Sequence, residues 1–125
     1  MSEGLRILIV DDDHSMANTL QDILKVKGYE AEAAYSGREG MEKVAQGHFD
    51  CVLTDIKMPE VNGVQLCRAI KAGQPELPVV LMTAYPADNL VNEGLKEGVI
   101  DILIKPFEMD KLLQVLAEIP RWEPR

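Results

Sequence analysis

The chain is short of positive charge, of cysteine and of long apolar runs. Its 13 Lys and Arg are set against 21 Asp and Glu, a net charge of −8. That balance speaks against a domain that grips nucleic acid or an anionic membrane through its own surface. No apolar stretch approaches the roughly 20 residues needed to cross a bilayer, and Met1–Leu5 has no basic run leading into an apolar segment, so no export signal is expected. The 2 cysteines, Cys51 and Cys67, lack metal-ligand spacing and sit in apolar patterns. They read as reduced, buried residues of a cytoplasmic protein. Repeats, low-complexity segments and a second domain are also missing. The 125 residues read as one domain over 1–120, long enough to bury roughly two-thirds of its unfolded surface. Residues 121–125 read as a tail or the start of a linker.

Four apolar runs each stop on a polar residue: Ile7–Val10 on Asp11 and Asp12, Val52–Leu53 on Thr54 and Asp55, Val79–Met82 on Thr83, and Ile102–Ile104 on Lys105. Short, near-continuous apolar runs separated by helical patterns are the mark of buried strands in a parallel sheet. A weaker strand, Tyr29–Ala34, alternates with Glu30 and Glu32, as an edge strand with one wetter face does. Between the strands, helices are expected over Ser15–Lys27, from a Ser36/Glu39 capping box through Ala45, over Val64–Ala72, over Asp88–Glu97 with an internal Gly94, and over Met109–Ile119. Gly28 and Gly47 stop the first two. Alternating β and α elements imply right-handed crossovers and an α/β, doubly wound (βα)5, flavodoxin-like three-layer fold. The weak second strand favours the parallel order 2-1-3-4-5, which puts a site outside the carboxyl ends of strands one and three.

All four run endings fall on that edge. Acids ahead of a helix are commonly caps, and Asp13 reads as one. Asp11 and Asp12 gain another meaning beside Asp55, because carboxylates brought within a few ångströms repel until a proton or cation relieves them. Mg²⁺, which takes oxygen ligands in an octahedron, suits such a set. A carboxylate can also attack a phosphoryl group and form an aspartyl phosphate. Asp55 stands alone at a central strand end, before a turn with Pro59, Asn62 and Gly63, and is the candidate nucleophile. Transfer to it needs charge neutralisation more than covalent help, which Lys105 and the hydroxyl of Thr83 could supply. His14 reads as an exposed residue opening the first helix.

The ordered set Val10-Asp11-Asp12, Leu53-Thr54-Asp55-Ile56-Lys57-Met58-Pro59 with Asn62-Gly63, Met82-Thr83-Ala84 and Ile104-Lys105-Pro106-Phe107 resembles the receiver domain of two-component response regulators, the CheY-like family. The likeness runs from about Leu5 to Ile119. It implies phosphoryl transfer to Asp55 from a phosphohistidine on a histidine kinase or histidine phosphotransfer protein. It also implies Mg²⁺ bound by Asp12, Asp55 and the backbone carbonyl of Lys57, with Asp11 helping through water. Thr83, Ala84 and Lys105 are then the phosphoryl-binding residues, and the Lys105–Pro106 peptide is expected to be cis. Within that resemblance, Thr83 and position 102 form the switch, but Ile102 replaces the usual aromatic residue, and Val99-Ile100 replaces the usual small and acidic pair. A switch through backbone shifts over Thr83–Asn89 and the following helix is therefore expected. Lys57 and Tyr85 occupy positions that tune dephosphorylation. A kinase or phosphotransfer helix bundle is expected to dock through Met16, Ala17, Leu20 and Pro106-Phe107, with Leu20 also reading as a core residue of the first helix. The face of the fourth helix, fifth strand and fifth helix is expected to serve output or a homodimer.

Two other classes compete. A small Mg²⁺-dependent phosphohydrolase would need a general acid near Asp55 and a cap over its substrate, whereas Lys57 stands two residues on and no stretch is left for a cap. A flavodoxin-like cofactor carrier would need a Ser-, Thr- and Gly-rich phosphate loop after strand one, where Asp11-Asp12-Asp13 instead repel a phosphate. A self-modifying signalling domain, not an enzyme with an external substrate, fits best.

Overall fold

A computed structural model of the chain describes residues 4–120; the expected tail, 121–125, lies outside the described residues. Its elements alternate as β1 (Arg6–Val10), α1 (His14–Val26), β2 (Glu30–Ala34), α2 (Gly37–Gln46), β3 (Cys51–Asp55), α3 (Gly63–Gly73), β4 (Val79–Thr83), α4 (Asn89–Lys96), β5 (Asp101–Ile104) and α5 (Met109–Ala117). The five strands pair in parallel in the order β2-β1-β3-β4-β5.

Successive side chains of a strand point to opposite faces, and in β1 both faces are covered. Ile7 and Ile9 pack with Leu24 of α1 and Leu112 and Leu116 of α5. Leu8 and Val10 pack with Val44 of α2 and Leu66 and Ile70 of α3. Covering on both sides is why the strand reads as an unbroken apolar run. The two cysteines are buried and free, and burial pushes the Cys51 thiol up to about 12, which leaves it chemically quiet at neutral pH.

α1 closes on a Schellman motif: Tyr29 N–H donates to Leu24 O at 3.0 Å and Gly28 N–H to Lys25 O at 3.1 Å. Gly28 has φ 99°, a conformation that costs glycine nothing and other residues much.

Three expectations need correction. β5 stands at the sheet edge as the expected order requires, but its apolar run is not buried throughout: only Leu103 is buried, Asp101 and Ile102 are half-buried and Ile104 is exposed. The Ser36/Glu39 box is displaced by one residue. Ser36 Oγ accepts from Glu39 N at 3.0 Å, but Glu39 Oε1 accepts from Tyr35 N at 2.7 Å. A reciprocal box does occur at α3, where Asn62 Oδ1 accepts from Gln65 N at 2.8 Å and Gln65 Oε1 from Asn62 N at 2.9 Å. Finally, Ala17 and Leu20 belong to the core, because α1 needs them to cover the sheet. Of the expected docking residues only Met16, Pro106 and Phe107 reach the surface.

Candidate functional site

The carboxyl ends of β1, β3, β4 and β5 open on one edge of the sheet and bring four loops together. Asp11, one residue past β1, is fully buried. Its Oδ1 accepts from Asp13 N at 3.0 Å and its Oδ2 from Lys105 Nζ at 2.9 Å. Asp12 is exposed. Asp13 caps α1, accepting from Met16 N at 3.1 Å, and His14 opens that helix on the surface, stacked on Tyr35 with ring centroids 4.2 Å apart.

Asp55 ends β3, half-buried, with Oδ2 3.4 Å from Lys105 Nζ and Oδ1 accepting from Ile56 N at 3.0 Å. Burial raises its carboxyl above the ordinary value; Lys105 opposes that shift and Asp11 adds to it. For Lys105, burial works against the ammonium, but the hydrogen bond to Asp11 and the charges of Asp55 and Asp11 outweigh it and hold the group protonated. One ammonium thus bridges two acids. Asp11, Asp12 and Asp55 each offer a carboxylate oxygen within 4.8 Å of the others. Three hard oxygen donors at that spacing fit Mg²⁺, which favours carboxylates and water over nitrogen or sulfur.

The loop after Asp55 is tied down at both ends. Ile56 N donates to Met82 O at 3.0 Å, and Gly63 N to Ile56 O at 2.8 Å. A Cβ on Gly63 would sit 2.3 Å from the carbonyl oxygen of Asp55, so no larger residue lets α3 start where it does. Between them, Val61 N donates to Pro59 O at 2.8 Å across Glu60, whose φ of 68° is the strained form of a three-residue turn.

Thr83, at the end of β4, is buried, and its Oγ1 accepts from Tyr85 N at 2.9 Å. Lys105 N donates to Thr83 O at 2.7 Å, which locks the two strand ends together. The Lys105–Pro106 peptide is cis. Ala84 and Tyr85 are exposed. Ile102 lies half-buried against the cluster that contains Leu81 and Val64.

Lys57 was not expected where it lies. Its Nζ is 2.8 Å from Asp88 Oδ2 and 5.1 Å from the centre of the Tyr85 ring, turned towards the β4–α4 loop. The pairing lowers the Asp88 carboxyl and raises the Lys57 ammonium. Asp88 reads from sequence only as the start of a helix; nothing local in the sequence marks it as a partner of Lys57.

Comparison with known proteins agrees with this geometry. A family model for the response regulator receiver domain matches residues 7–117. The transcriptional regulatory protein ZraR of Klebsiella oxytoca is 43% identical over 116 residues, 93% of this chain and 26% of ZraR. The response regulator MprA of Mycolicibacterium vanbaalenii is 36% identical over 117 residues, 94% of this chain and 51% of MprA. The chain therefore spans about a quarter to a half of the length of these relatives. Among solved structures, a CheY-like receiver domain protein from Methanospirillum hungatei superposes with a TM-score of 0.88 at 32% identity, covering 94% of this chain and 93% of that one. The response regulator TrrA of Thermotoga maritima, solved in complex with Mg²⁺ and BeF, gives 0.83 at 28% identity, covering 91% and 97%.

Proposed function

Because the chain belongs to the response regulator receiver family, we propose that it is a phosphorylation-driven signalling switch that takes a phosphoryl group onto Asp55 from a histidine kinase or histidine phosphotransfer protein. One observation carries this reading: the Lys105 ammonium shared between Asp11 at 2.9 Å and Asp55 at 3.4 Å, beside three carboxylates within 4.8 Å of one another.

A carboxylate oxygen of Asp55 attacks the phosphorus of the partner's phosphohistidine; the P–N bond breaks, its electron pair returns to the imidazole, and an acyl phosphate forms. Asp12, Asp55 and the Lys57 carbonyl, with Asp11 through water, would hold Mg²⁺, which supplies positive charge against the phosphoryl oxygens when bound. Lys105 offsets the charge on the other side. Thr83 Oγ1 already accepts from Tyr85 N–H, so its own proton is available to a phosphoryl oxygen, and Ala84 adds its backbone N–H. The chain turns over no external substrate.

Docking of the phosphodonor uses Met16, Pro106 and Phe107. The signal leaves through the α4–β5–α5 face, where Leu95, Ile100 and Ile104 are about half-exposed; that face contacts an output partner or a second copy. Ile102 has no ring to rotate, so the change passes through the backbone of residues 83–89 into α4. A large Ile102 rotamer change with an immobile loop, on comparing free and phosphoryl-mimic structures, would refute that route. Residues 57 and 85 tune the lifetime: Lys57→Asn and Tyr85→Ala should both hydrolyse faster than wild type. The reading is that of a cytoplasmic domain without direct nucleic-acid or membrane contact; among the described residues no helix is long and apolar enough to cross a membrane.

The test is incubation with Mg²⁺ and a small phosphodonor, followed by intact mass measurement. Wild type should gain one phosphoryl group and Asp55→Asn none. Wild type that stays unmodified, or a variant modified as well as wild type, ends the proposal.

A further inference from the structure

We propose that Asp88 is a positioning residue: it competes with the phosphoryl group on Asp55 for the ammonium of Lys57, and so sets how long the phosphoryl group survives. This rests on Asp55 being the phosphoacceptor and names a regulator of that same site.

Asp88 uses both of its carboxylate oxygens. Oδ1 accepts from Leu90 N at 2.8 Å and caps α4. Oδ2 holds Lys57 Nζ at 2.8 Å. The loop behind it is fixed by its own backbone: Asp88 N donates to Tyr85 O at 3.1 Å across a turn with Pro86 in the position that proline favours. Tyr85 N in turn donates to Thr83 Oγ1 at 2.9 Å. The ammonium also lies over the Tyr85 ring, within the range in which a cation is drawn to an aromatic face. Lys57 therefore begins in the loop that follows the nucleophile and ends on the loop that follows Thr83.

Asp55 lies only two residues away in the chain, yet Lys57 pairs with Asp88. Lys105 already serves Asp11 and Asp55. A phosphoryl group on Asp55 changes the competition, since it carries nearly two charges and several acceptor oxygens two residues away from Lys57. An ammonium recruited to it stands in the path of an attacking water. An ammonium kept on Asp88 leaves that path open. The exchange also takes Oδ2 of the α4 cap out of its ion pair while Oδ1 keeps the cap.

The choice of variant separates the two jobs of Asp88. Asn at 88 keeps a cap oxygen, since Asn and Asp cap comparably, and removes the charge that holds Lys57. The chain would be phosphorylated with a small phosphodonor and Mg²⁺, freed of donor, and its decay followed by intact mass. Asp88→Asn should lengthen the phosphoryl lifetime roughly two- to fivefold, the range open to an exposed ion pair. In a Lys57→Gln background the same substitution should change nothing. A second measurement needs no phosphorylation: nitrogen-detected NMR of the Lys57 ammonium should show slowed proton exchange in wild type and fast exchange in Asp88→Asn. An unchanged lifetime, an equal effect in both backgrounds, or an ammonium indifferent to Asp88 overturns the inference. Wild type that accepts no phosphoryl group overturns the receiver reading as well, whereas a phosphorylated protein lacking the coupling overturns this inference alone.

Discussion

Two loops leave the carboxyl ends of neighbouring strands β3 and β4, and they are built in opposite ways. The β3–α3 loop, residues 56–62, drives Ile56 and Met58 into the core, closes on a reciprocal capping box and abuts a glycine pressed against the Asp55 carbonyl. From 84 to 93, through the β4–α4 loop and most of α4, no residue is buried; Gly94 is the first, lying against Leu81. One loop fixes a nucleophile in place. The other is held by a few polar contacts and by Leu90 and Val91, packed part-buried against the core, and segments with few buried apolar contacts are the ones that open at low free energy. A switch needs both: a rigid site to receive a charge, and a lightly held segment whose position the charge can bias.

The largest blow to the rigid side is Gly63→Ala. Its Cβ would lie 2.3 Å from backbone at Asp55, which cannot yield as a flexible side chain does, so the expected cost is about 3 kcal/mol. Ala84→Ser, at an exposed position of the other loop, should stay within about 0.5 kcal/mol. Urea melts of the two variants check the contrast, and equal midpoints would erase it.

How much of this was legible in the sequence depended on the range of the interaction. The sheet order and the meeting of Asp11, Asp12, Asp55, Thr83 and Lys105 on one edge were legible, because parallel strands covered on both faces print as apolar runs and their polar ends mark the edge. The exposure of Ile104 was harder to read: the order sets β5 at an edge, but Ile102–Ile104 is as apolar as the inner runs and nothing in it marks which residue faces out. Asn62 was read as a turn residue, although Gln65 three positions on carries the capping-box spacing. The Lys57–Asp88 pair has no local signature at all. It arises because adjacent strands end together, which composition and periodicity do not encode.

The next effect concerns charge on the rigid side. The Asp55 carboxyl titrates higher in the folded chain than its ordinary 3.8, chiefly through burial. Between the two values the folded state binds more protons than the unfolded one, so stability falls as pH rises through that window. The penalty is complete once the pH stands above the raised, folded-state value. Asp55→Asn should therefore melt higher than wild type at pH 7, and the gap should narrow as pH falls towards 3.8. Lys105 keeps Asp11 in the variant, so no ammonium is left stranded. Added Mg²⁺ should raise the melting temperature of wild type more than that of the variant. A variant that melts lower at pH 7 would show that Asp55 is a structural ion-pair partner and not a carboxylate held in readiness.

Asn62→Ala removes one arm of the capping box and should cost about 1 kcal/mol, the usual price of such a cap. Amide exchange should speed up at Val64 and Gln65 first, while α4 stays unchanged, if the two loops open independently.

The smallest expected effect on stability is the one that most sharply separates the loops. Tyr85 is an exposed large side chain, 60% accessible, whose contact with Lys57 is a cation over its ring. Tyr85→Ala should shift the melt by no more than about 0.5 kcal/mol, because the ring covers no core and its backbone N–H still reaches Thr83. The same substitution should shorten the phosphoryl lifetime, since it uncovers the side of the site that the ring and Lys57 shield. A variant that destabilises the fold and leaves the lifetime alone would invert the assignment: the β4–α4 loop would then be part of the scaffold, and the freedom to respond would have to be sought elsewhere on the sheet edge.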